Sequence, residues 1–134
     1  MNLPNIVITR LDAQRLDTLF DPLKYPIDAL EALENELARA RIVSHKRIKP
    51  DVVTMNSTVR LLDETSAREF LVTLVYPHNA GSPDTVSVLA PVGTAILGLK
   101  VGQSIEWTSA KCRPLKLKVL AIPYQPEAHL EYEL

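Results

Sequence analysis

The hydrophobic positions change period part-way along the chain, and the change separates a helical beginning from a strand-rich remainder. Thr9 stands three residues before Asp12, a weaker form of the capping box in which a side-chain oxygen takes up a free amide at a helix start. Leu11, Leu16, Leu19 and Phe20 then gather on one side at helical spacing. Asp21 and Pro22 stop this helix, and a loop with two prolines leads to a second helix from about Ile27 to about Arg41. At ~100° per residue, Ala29, Leu30, Leu33, Leu37 and Ala40 fall within an arc of about 100°, while Asp28, Glu31, Asn35 and Arg39 lie outside it. Two such helices joined by about six residues predict a short antiparallel hairpin.

The polar, basic stretch Ser44 to Pro50 is the best boundary, because Pro50 forces extended geometry on its neighbour. It divides the chain into residues 1–46 and 47–134. Beyond it the period drops towards two. Leu115, Leu117, Val119 and Ala121 alternate with Lys116 and Lys118, and Ile105 and Trp107 alternate with Ser104, Glu106 and Thr108. Phe70 to Tyr76 predicts a more central strand, with shorter ones at Val59 to Leu62 and Thr85 to Val88. Asn79 to Asp84, with Gly81 and Pro83, is a loop. One helix interrupts the strands: Pro91 suits a first helical position, and Gly98 suits the left-handed residue that closes it. The resulting class is α+β, an antiparallel sheet covered on one face by a short helix.

Composition narrows the function. A chain of 134 residues, 46% hydrophobic, closes one core with a small helical appendage. Its 15 basic and 16 acidic residues leave a net charge of -1, so direct binding to duplex nucleic acid is not expected. No apolar run reaches the roughly 18 to 20 residues that span a bilayer, and Met1 is not followed by a signal-peptide pattern. Cys112 is the only cysteine, which suits a reducing, cytoplasmic setting. His45, His78 and His129 lack partners at metal-ligand spacing, and the four glycines form no phosphate loop. Neither a cofactor nor enzymatic activity is expected.

The run Ala90-Pro-Val-Gly-Thr-Ala-Ile-Leu-Gly-Leu-Lys-Val-Gly-Gln-Ser-Ile resembles the signature of the carboxy-terminal domain of the Gre transcript-cleavage factors, with Gln103 at the usual Asp. The resemblance is closer to the branch of regulators of nucleoside diphosphate kinase. There it includes Asp51-Val-Val-Thr-Met-Asn-Ser, Leu74-Val-Tyr-Pro, Ser87-Val and the tail Tyr124-Gln-Pro-Glu-Ala, and so covers nearly the whole chain. It implies a sheet and helix like those of FK506-binding proteins in the second segment, and a coiled-coil arm in the first. It also implies a partner, RNA polymerase, bound at the rim of the secondary channel.

The Gre factors carry acidic residues for a catalytic magnesium ion at the tip of a long arm. Helices of about 10 and 15 residues extend only roughly 15 to 22 Å, too short to reach an active centre through a channel. Asp21 and Asp28 therefore fit a helix-end turn and the first turn of the next helix better than a metal pair. The remaining tip residues, Leu23, Lys24 and Tyr25, are candidates for a partner contact, with the alternative that Leu23 and Tyr25 fold back as a cap. Leu89, Ala90 and Pro91 match the turn that contributes to polymerase contact in the Gre factors, with Leu89 in place of the acidic residue. The implied function is competition with longer channel-binding factors without transcript cleavage. An adaptor acting through the helical seam and a prolyl isomerase are the other classes weighed; seven aromatic residues are few for the latter's pocket.

Overall fold

The computed structural model describes residues 3–109 and 112–131. The chain starts with a short strand, β1 (Val7–Thr9), that runs straight into α1 (Arg10–Asp17). Thr9 is the N-cap, its Oγ1 accepting from the Asp12 amide at 3.0 Å. The helix ends sooner than Phe20 because the Thr18 hydroxyl and amide both turn back to the Arg15 carbonyl. After the proline-containing loop, α2 (Ile27–Arg39) follows, and it too ends early: Arg41–Val43 becomes strand β2. The β-branched Ile42 and Val43 extend because β1 offers them a parallel ladder, Ile8 pairing with Ile42 and Thr9 with Val43. Arg39 fixes this corner, holding Glu36 at 2.7 Å and also donating to the Pro4 carbonyl.

The second segment supplies β3 (Thr58–Asp63), β4 (Arg68–Val75), β5 (Thr85–Ser87), α3 (Pro91–Ile96), β6 (Ser104–Ser109) and β7 (Cys112–Tyr124). They form a five-stranded sheet in the order β5-β4-β3-β7-β6. The expected all-antiparallel sheet is corrected at one edge, where β5 runs parallel to β4. The Pro77–Asn79 turn and the loop after it carry the chain back along β4, so β5 sets out in the same direction. Register shifts between β3 and β7 curl the sheet. The side chains of Cys112 and Leu115 lie outside the described residues.

One core joins the two segments. Val59, Leu61, Leu74, Leu117 and Val119 of the sheet share it with Ile96 and Leu99 around α3, and with Ile6, Ile8, Leu16, Leu19 and Leu33 of the first segment. The helices therefore close their apolar faces onto the sheet side of the molecule, where an arm stiffened by a seam of its own was expected. Burying them beside Ile96 and Val59 removes more apolar surface from water than two short helices can cover for each other. Gly98 shows how tight the joint is. It has φ +82°, and a Cβ there would lie 2.9 Å from the Ile6 Cβ, while its carbonyl accepts from the Val7 amide at 3.1 Å. Among the described residues, no helix is long and apolar enough to cross a membrane.

Candidate partner-binding surface

The turn before α3 is built by hydrogen bonds that leave its corner facing outward. Ser87 Oγ accepts from the Leu89 amide at 3.1 Å, and Thr94 Oγ1 donates to the Val88 carbonyl at 2.6 Å. Ala90, extended at ψ 151°, is the N-cap, and Pro91 is the first helical residue, where its missing amide costs nothing. Gly93 lets α3 lie against β5, since a Cβ there would sit 2.0 Å from the Ser87 carbonyl oxygen. Leu89 packs partly against the core, whereas Pro91 is exposed. The three residues thus form one continuous corner, half anchored and half presented.

The tip between α1 and α2 separates the candidates placed there. Asp21 is a turn residue: its Oδ1 accepts from the Leu23 amide at 3.0 Å, and its carbonyl accepts from the Lys24 and Tyr25 amides. Asp28 is exposed in the first turn of α2. Tyr25 folds back and packs partly on the core, but Leu23 is 95% exposed and caps nothing. Lys24 is exposed beside it, as is Ile27. No group of three or more His, Cys, Asp or Glu side chains suited to a metal ion occurs among the described residues.

Sequence reasoning missed the polar cluster that joins the segments. Asp12, 3% exposed, turns its Oδ2 to the Met55 amide at 3.1 Å. Burial, with the nearby Glu127 charge adding to it, raises its carboxyl to about 7 against the pull of that amide. Burial also pushes the Tyr76 hydroxyl up, with the Asp12 charge contributing. Thr54 Oγ1 donates to Glu127 at 2.7 Å and meets Ser57 Oγ at 2.8 Å. Gln125 donates to the Lys49 and Val52 carbonyls, each at 2.8 Å. Glu36 is a second buried carboxyl, raised by burial and held down by Arg39.

The comparisons with known proteins fall on the same two segments. The family described as "Transcription elongation factor, GreA/GreB, C-term" matches residues 48–124, and "Rnk N-terminus" matches residues 4–43. The chain belongs to the GreA/GreB family. It is 42% identical over 136 aligned residues, covering all of both chains, to the regulator of nucleoside diphosphate kinase of Escherichia coli K12. It is 35% identical to the transcription elongation factor GreA of Rhodospirillum rubrum over 58% of this chain and 50% of that protein. Among solved structures, the prokaryotic transcription elongation factor GreA/GreB from Nitrosomonas europaea matches with a TM-score of 0.70 and 47% identity, over 90% of this chain and 99% of that one.

The strings that carry the resemblance to regulators of nucleoside diphosphate kinase turn out to do structural work. Asp51 to Ser57 supplies the amide that donates to Asp12 and the hydroxyl that donates to Glu127, and the tail from Tyr124 supplies Gln125 and Glu127. Gln103, at the usual GreA/GreB aspartate, still closes the turn after α3: its Oε1 accepts from the Lys100 amide at 2.9 Å. A neutral amide oxygen is sufficient for that bond.

Proposed function

We propose that this chain is a regulator that docks on RNA polymerase at the rim of the secondary channel and excludes longer Gre-type factors without stimulating transcript cleavage. Membership of the GreA/GreB family supports polymerase as the partner, and the full-length likeness to a regulator of nucleoside diphosphate kinase supports a regulatory effect on that enzyme. The observation that carries the reading is helix length. At ~1.5 Å per residue, α1 and α2 extend only about 12 and about 20 Å, and their buried faces are committed to the body of the molecule. Such helices occupy an entrance but deliver no acidic group beyond it, and the exposed tip residue Leu23 belongs to a turn ordered by Asp21. The site needs no cofactor, and the proposed setting is the bacterial cytoplasm.

The docking contact is assigned to Leu89, Ala90 and Pro91, with Leu23 and Lys24 as a second contact. An apolar corner in place of a charged one changes affinity more than choice of partner, since a few desolvated residues dominate an interface. The adaptor reading is weakened because Leu30 and Leu33, the centre of the seam, are already buried within this chain. Affinity capture of purified polymerase by immobilised wild type, Leu89→Asp and Pro91→Ala tests the assignment. Both variants should fold and retain less polymerase. Undiminished capture by both would remove this corner from the interface.

A further inference from the structure

Independently of polymerase, the geometry points to a binding groove for a small oligophosphate anion, of the chemical class of nucleoside di- and triphosphates, between the two segments. The groove has a volume of about 660 Å³. Five cationic residues from separate parts of the chain line it: Arg10 of α1, Arg41 of β2, Arg47 and Lys49 of the linker, and Lys100 after α3. Among the described residues no Asp or Glu lines it, although acidic residues outnumber basic ones in the chain as a whole. None of the five forms an ion pair among the described residues.

Like charges drawn around one concavity repel each other, and an anion seated between them removes the repulsion. Arg10 adds to the case, because as the first residue of α1 it puts a cation at the positive end of the helix dipole. The walls are ordered backbone. β2 is paired to β1, Val52 is bridged to Lys100, and the Arg47 amide closes a turn on the Ser44 carbonyl at 2.9 Å. Guanidinium forks suit adjacent phosphate groups, which present several oxygens at once. The apolar side chain of Ile42, which is exposed, lies in the same groove and offers surface to a nucleoside ring. The volume is that of a small-molecule site, about 300 to 1,000 Å³, and not of a long polymer track.

Calorimetric titration of the full chain with tripolyphosphate, ATP, ADP, adenosine and a single-stranded RNA of ten nucleotides tests this. The expected result is one tripolyphosphate and one ATP or ADP per chain, competing with each other, weakened by salt, with no binding of adenosine. ATP binding tighter than tripolyphosphate assigns the apolar wall to the nucleoside; equal binding assigns the site to the phosphates alone, and both support the groove. Arg41→Glu with Arg47→Glu should weaken binding at least tenfold, and the milder Arg41→Gln with Lys49→Gln should weaken it less, with melting temperatures recorded for each. Absence of binding at millimolar tripolyphosphate and nucleotide overturns the proposal. So do binding that folded variants retain in full, and binding of RNA where ATP and tripolyphosphate fail. Polymerase capture in parallel separates this site from the docking corner, since Leu89→Asp should leave ATP binding unchanged.

Discussion

The Asp12 carboxylate and the Met55 amide, 3.1 Å apart and buried, tie the first helix to the loop that opens the second segment. The bond is local chemistry with a global consequence, because a carboxyl in that position is more easily held neutral than charged.

The first prediction concerns pH. The Asp12 carboxyl is raised to about 7 when folded, against its ordinary value of 3.8, so between these pH values the folded state binds a proton that the unfolded state has lost. The stabilisation is complete below about 4 and is lost as pH rises through about 7, at a slope of up to ~1.4 kcal/mol per pH unit. Glu36, also raised by burial, acts in the same direction. Asp12→Asn keeps an oxygen for Met55 and removes the ionisation. Urea unfolding at pH 5 and pH 8 should show wild type losing stability between them and the variant losing distinctly less.

Gly93→Ala tests the packing under the docking corner. The added methyl would meet the Ser87 carbonyl oxygen, a backbone atom that cannot swing aside. A loss of about 3 kcal/mol or more is expected, the upper end of overpacking costs. Denaturant midpoints measure it, and a loss under about 1 kcal/mol contradicts the close approach.

Leu33 and Leu23 give a contrasting pair. Leu33→Ala opens a cavity in the shared core and should cost about 2 to 5 kcal/mol. Leu23→Ser alters a side chain that is 95% exposed and should change stability by less than about 0.5 kcal/mol. The same Leu23 variant should lower polymerase capture if the tip makes the second contact.

Gln125→Ala removes one side-chain amide that serves two carbonyls, those of Lys49 and Val52. Leaving them short of donors should cost roughly 1 to 3 kcal/mol. Faster hydrogen exchange confined to the linker and tail would mark the cause as loss of that clamp.

Features written in a short window were legible in the sequence. The cap at Thr9, the turn at Asp21 and the helix between Pro91 and Gly98 each depend on neighbours a few residues away. The strands β1 and β2 were not legible, because three residues carry no period and each is extended only by its distant partner. The same limit hid the parallel direction of β5, a strand otherwise legible at Thr85, and the role of Gly98, which answers to Ile6 across the joint as much as to its own helix. Asp12 has a hydrophilic side chain on a helix's first turn, and only the fold reveals that Met55 and Glu127 wait there. At the tip, Leu23 and Tyr25 look alike as apolar neighbours, and tertiary packing alone distinguishes the partly buried Tyr25 from the exposed Leu23.

The most direct test is a competition on backtracked polymerase carrying a Gre factor, with transcript shortening followed as this protein is titrated in. The account predicts that shortening falls as the protein is added, that Leu89→Asp is a weaker inhibitor, and that the protein alone shortens nothing. Shortening provoked by the protein alone, or cleavage undiminished at saturating protein, would contradict it.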